Sequence, residues 1–114
     1  MKYLTLAALA LTLLPGRAAS AHPSIDIVAS NFKFTPATIT VHVNEPVTLR
    51  LTSSGGVHGI ESAELAIPKT TIPPGGANTT VTFTPTKAGT YVVKCAIICG
   101  AGHDDMKLTI KVVP

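Results

Sequence analysis

The sequence predicts an all-β domain folded as an antiparallel sandwich. Three observations carry that expectation. Beyond residue 21, apolar and polar residues alternate with a period of two in segment after segment. Clusters of Gly, Pro, Asn and Ser separate these segments at short intervals. No stretch beyond residue 21 repeats its apolar residues at a helical spacing. The chain has 114 residues, 46% of them hydrophobic and 13% charged. That suffices for one small domain with a packed core and excludes a disordered chain.

Residues 1–21 read as a secretory signal peptide. Lys2 supplies the charged start, Leu4 to Leu14 the apolar run, Pro15-Gly16 the break, and Ala19-Ser20-Ala21 the cleavage site. The run falls short of the roughly 20 apolar residues that a membrane span requires. Cleavage is expected to leave one domain, 22–114, in the periplasm or secreted, with no membrane span. Counted from His22, seven basic residues face six acidic ones, a net charge of +1. That balance gives no footing for nucleic acid or an anionic membrane surface. His22 would become the first residue, and a solvated terminal residue is expected there.

The segments follow in order. Ile25, Ile27 and Ala29 alternate with polar neighbours, and Phe32 and Phe34 extend the pattern to Thr35-Pro36. Ile39, Val41 and Val43 share one face of a half-buried strand, which points His42 to solvent. Asn44-Glu45-Pro46 is a turn. Val47, Leu49 and Leu51 form the next inward face, which Ser53-Ser54-Gly55-Gly56 interrupts. His58 follows at the end of a sheet element, flanked by glycines that permit close backbone approach. Residues 61–77, with Pro68, Pro73-Pro74 and Gly75-Gly76, read as a long irregular connection holding at most one helical turn at 61–65. Val81 and Phe83, then Tyr91, Val93 and Cys95, then Leu108, Ile110 and Val112 mark the last three strands. Six or seven strands are expected in all.

The chemistry is concentrated in one stretch, Cys95 to Met106, with spacing C-x3-C-x3-H-x2-M. Past the leader the chain has no other Cys and no other Met. Thiolate and thioether are soft donors suited to Cu(I), zinc and iron–sulfur clusters, and imidazole suits copper and zinc. Structural zinc sites favour paired C-x2-C and no methionine. Iron–sulfur clusters take more cysteines than the two present. A blue-copper site takes one Cys, two His and a weak axial Met. The stretch supplies that set plus a second Cys once His58 is added from upstream. A second bridging thiolate would allow two copper ions in place of one. Export also leaves open a Cys95–Cys99 disulfide.

From Ile25 to Val113 the chain resembles the cupredoxins, Greek-key copper sandwiches. Asn31-Phe32-Lys33-Phe34-Thr35-Pro36 and Gly89-Thr90-Tyr91 match that family's strand ends. C-x3-C-G-x2-H-x2-M with His58 upstream is similar to the dinuclear CuA centre of cytochrome c oxidase subunit II, a spacing shared with nitrous-oxide reductase. The resemblance implies two copper ions bridged by Cys95 and Cys99. His58 and His103 would each terminate one copper. Met106 would be the axial ligand on one copper and the Ile97 backbone carbonyl on the other. It also implies an apolar rim, for which Ile60, Ala96, Ile98 and Ala101 are candidates. Asp104 and Asp105 are expected to be solvated.

Position 97 is Ile where oxidase subunits usually carry Glu, and the chain has no Trp. The membrane hairpin of subunit II is missing as well. A soluble relative of that copper domain is therefore expected, monomeric and not an enzyme. The function implied is a single-electron carrier, with a c-type cytochrome or a terminal oxidase as redox partner. The alternative is a copper-handling protein with a mono- or dinuclear site, a copper donor or acceptor as partner, and no redox turnover. A metal-free interaction domain closed by the disulfide is the third reading.

Overall fold

The structure is a computed structural model that describes residues 22–97 and 102–114, without the His103 side chain. The expected signal peptide, Cys99, Ile98 and Ala101 lie outside the described residues. Nine strands run through the described residues: β1 (Ser24–Ser30), β2 (Lys33–Thr35), β3 (Thr38–His42), β4 (Val47–Ser53), β5 (His58–Ser62), β6 (Ile67–Ile72), β7 (Thr79–Phe83), β8 (Gly89–Lys94) and β9 (Lys107–Val113). A 3-10 turn, His103–Asp105, precedes β9.

One sheet has the order β2-β1-β4-β7 and the other β3-β9-β8, with β5 and β6 as a separate hairpin. The alternation read from the sequence sets which side of each strand faces in. Ile27 and Ala29, Leu49 and Leu51, and Val81 and Phe83 are buried from the first sheet. Ile39, Val41, Val93, Leu108 and Ile110 are buried from the second. They meet in one cluster, the hydrophobic core of the sandwich. Each fully buried Leu or Ile there contributes about 1.5–3 kcal/mol over an exposed one.

Two pairings are parallel where the sequence suggested antiparallel order throughout. β1 runs parallel to β4, from Ser24↔Thr48 to Ala29↔Ser53. β3 runs parallel to β9, from Thr38↔Thr109 to His42↔Val113. Alternation is blind to strand direction, because it fixes a side chain's face and not its neighbour's polarity. Parallel neighbours need a crossover, and here successive strands switch sheets to provide it. The stretch 61–77 is also more regular than expected, because Ile67–Ile72 forms β6 against β5. The expected helical turn is a tight turn, with the Ala66 amide donating to the Ala63 carbonyl at 3.1 Å.

Candidate metal centre

β4 delivers the first half of the site. Its period of two puts Val47, Leu49, Leu51 and finally Ser53 on the inward face. The chain then turns through 54–57 and re-enters the interior at His58, the first residue of β5, which is fully buried. The His58 ring is held by one strong contact, Nε2 to the Gly55 carbonyl at 2.6 Å. A carbonyl only accepts, so Nε2 carries the proton and donates. Nδ1 is left with its lone pair. It is buried and has no hydrogen-bond partner among the described residues. Leaving such an acceptor unsatisfied costs about 1–3 kcal/mol. Gly56, at φ +79°, is required here: a Cβ would stand 3.0 Å from Asn31 Oδ1 and 3.3 Å from His58 Nε2.

β8 delivers the second half. Cys95 follows its last residue, Lys94, and is buried on the inward face as the alternation predicts. Cys95 bridges to Ile60 of β5, and the Ala96 amide donates to the Gly59 carbonyl at 3.0 Å. Residues 58–60 and 95–97 therefore run side by side. Their fit leaves no spare room, since a Cβ on Gly59 would lie 2.9 Å from both Ile97 Cδ1 and the Thr70 carbonyl. The Cys95 thiol points at the Ile97 carbonyl, 3.2 Å away. The Cys95 amide donates to the Met106 carbonyl at 3.0 Å, and Met106 is fully buried.

Backbone contacts thus set the segment 58–60 beside 95–97 and tie Cys95 to Met106. His103 opens the 3-10 turn, and the Asp105 amide donates to the Gly102 carbonyl at 3.2 Å. Gly102 abuts Phe32, whose Cβ would stand 2.8 Å from a Cβ placed there. The ring of His103 and all of Cys99 are outside the described residues, and among the described residues no three His, Cys, Asp or Glu side chains converge.

The residues present fit copper. A buried imidazole nitrogen with an unused lone pair, its other nitrogen fixed by a carbonyl, is the arrangement that metal-binding histidines adopt. A thiol and a thioether add soft donors, and the Ile97 carbonyl a harder, weaker one. One expectation changes. Ile60 is fully buried and takes no part in an exposed rim. It is bridged to Cys95, so its side of β5 faces the core. Among the described residues, the large apolar side chains that are exposed are Val28, Phe32, Val57 and Val92. Asp104 and Asp105 are exposed as expected, and so are His22 and His42, the latter with Nδ1 3.2 Å from the Pro114 oxygen. The sequence reading missed Ser53 and the Gly55 carbonyl. The signal for Ser53 was present, as a polar residue at an inward position just before a Gly-Gly turn.

The chain was compared with known proteins. A family model described as a cupredoxin-like domain matches residues 3–110. The periplasmic domain of subunit II of cytochrome oxidase from Bradyrhizobium japonicum superposes with a TM-score of 0.67 at 20% identity, covering 79% of this chain and 83% of that one. Subunit II of cytochrome c oxidase, caught as a mixed disulfide with a thioredoxin-like protein, gives 0.65 at 16% identity, covering 79% and 80%. Dithionite-reduced auracyanin from Roseiflexus castenholzii gives 0.60 at 22% identity, covering 80% and 97%. At these identities the likeness is one of fold. With the family model spanning nearly the whole chain, the protein belongs to the cupredoxin-like domain family.

Proposed function

We propose that this chain is an exported copper protein that carries single electrons on a CuA-like pair of copper ions, without substrate chemistry. The observation that carries the reading is the buried His58 Nδ1, which lacks a partner among the described residues while its ring is locked by Gly55. His58 and His103 would each cap one copper, and Cys95 and Cys99 would bridge them. Met106 and the Ile97 carbonyl would be the weak axial donors. Two bridged coppers supply a redox state in which one unpaired electron is shared, so that bond lengths change little on reduction.

The chain's own part is to keep the donors still. Cys95 is fixed by its amide to Met106, and its neighbour Ala96 by its amide to Gly59. Buried Met106 and His58 are enclosed by packed neighbours. Donors that do not move between oxidation states keep electron transfer fast, and a rigid sandwich end provides this.

Redox partners follow from the same reading: a c-type cytochrome or a terminal oxidase. The subunit II structure trapped with a thioredoxin-like protein favours one more partner, a dithiol reductant. A Cys95–Cys99 disulfide formed on export would accept two electrons from that dithiol and become two thiols, with the partner leaving as its own disulfide. The deciding experiment is copper loading of the reduced chain. Two coppers per chain and a paramagnetic resonance spectrum with the electron spread equally over two nuclei support the reading. One copper with a blue spectrum gives a mononuclear site, and no copper with no titratable thiol gives the disulfide module. Slow electron self-exchange with ready release of copper to an acceptor gives the copper-handling alternative.

A further inference from the structure

We infer that Ser53 is the positioning residue that sets the tautomer and direction of His58, an inference that rests on His58 being a metal ligand. Ser53 is only 3% exposed. The β4 alternation turns its side chain inward, where an unpaired hydroxyl would be costly. The hydroxyl is fully used. It donates to the Gly56 carbonyl at 2.6 Å and accepts from the Gly55 amide at 3.2 Å.

Those two bonds close the turn 53–56 on itself and pin the backbone at both glycines. Gly55 is the residue whose carbonyl receives His58 Nε2–H. Its amide is held by Ser53 and its carbonyl by His58, so the rotation of the Gly55 unit is set from both sides. Glycine has no side chain to restrict its backbone, and Gly55-Gly56 would otherwise sample many orientations. With the Gly55 carbonyl free to turn away, either ring nitrogen of His58 could hold the proton. With it fixed, the proton stays on Nε2 and Nδ1 keeps the lone pair a metal needs. Ser54 has no such role: its amide donates to the Ala29 carbonyl at 2.9 Å, and its hydroxyl reaches the same oxygen at 3.5 Å.

The test compares the full chain with Ser53→Ala, Ser53→Thr and Ser54→Ala. Long-range proton–nitrogen spectra of the metal-free proteins report which His58 nitrogen is protonated and how fast that proton exchanges. The wild type and S53T should show one Nε2–H form with slow exchange. S53A should show both tautomers and a loss of Cu(I) affinity of about 10–100-fold, the usual effect of removing a partner behind a metal ligand. S54A should match the wild type. An Nδ1–H ring in the wild type overturns the inference, as do S53A spectra identical to wild type, S53T behaving like S53A, or S54A behaving like S53A. Should S53A not fold, Ser53→Cys replaces it, keeping volume with a weak donor, and should show the same mixed tautomers in smaller measure. The tautomer is read without metal. A wild-type chain that binds no copper but responds to S53A in this way refutes the copper centre and leaves the role of Ser53 standing.

Discussion

Cys95 and Met106 are joined directly, backbone to backbone, by a 3.0 Å hydrogen bond from the Cys95 amide to the Met106 carbonyl. The bond continues the β8–β9 ladder one step past the Lys94↔Lys107 pair. It closes the base of the loop that carries Cys99 and His103. Two proposed ligands thus sit at the fixed ends of this stretch, next to strands held by the core, and three more, Ile97, Cys99 and His103, lie between them in the sequence.

Met106 separates packing from ligation. Met106→Leu conserves volume and should lower stability by less than about 1.5 kcal/mol. Met106→Ala, at a fully buried position, should lower it by about 2–5 kcal/mol. If the thioether is an axial donor, the Leu variant raises the reduction potential, because a lost electron donor disfavours the oxidised metal more than the reduced one. Denaturant titration of the metal-free protein and voltammetry of the loaded one read the two effects. An unchanged potential in the Leu variant would remove Met106 from the ligand set.

Cys99→Ser should halve the copper bound per chain, from two ions to one, while leaving a site built on Cys95, His58 and His103. Metal analysis of the purified loaded protein is sufficient. Retention of two coppers would rule out a bridging thiolate at Cys99.

Gly59→Ala should destabilise the metal-free fold by about 1–3 kcal/mol, as overpacking does. The new Cβ would meet Ile97 Cδ1 and the Thr70 carbonyl, both at 2.9 Å, and the latter is backbone of the paired strand β6. The same change should weaken copper binding by displacing residues 95–97. Urea melts with and without copper separate the two contributions, and a wild-type midpoint in both would contradict the packing described.

Gly102 and Phe32 should be energetically coupled. A Cβ at position 102 would lie 2.8 Å from Phe32 Cβ, so turning the ring away gives no complete relief. Gly102→Ala alone is expected to lower copper affinity, and adding Phe32→Ala should recover much of the loss. A double-mutant cycle on copper affinity should yield a coupling within the usual range of about 0.5–3 kcal/mol for residues in contact. Additive effects would mean that the turn moves independently of Phe32.

Much of this was legible in the residues themselves. The strict alternation through Val47, Leu49 and Leu51 announced β4, and the alternation leading to Val93 and Cys95 announced the inward face on which Cys95 is buried. β6 was hidden because it contains Pro68, is followed by Pro73-Pro74, and buries only its end residues, Ile67 and Ile72. Direction of pairing was hidden for β1 with β4 and β3 with β9, because a period of two carries no information on polarity. Ile60 was misplaced because its burial follows from a bridge to Cys95, a contact between distant segments that no local pattern records. Ser53 escaped notice because its importance lies in what it holds two and three residues on.

The parallel pairing of β3 with β9 ties an early segment of the domain to its last strand. Long-range pairing of this kind delays folding, since distant segments must find each other before any contact rewards them. Met106 immediately precedes β9, so the proposed ligand set would be completed only when the final strand docks. On the proposed reading, a newly made chain would hold its donors ungathered until β9 docks, and a chain starved of copper should still reach its native shape, since β3 and β9 pair through backbone alone.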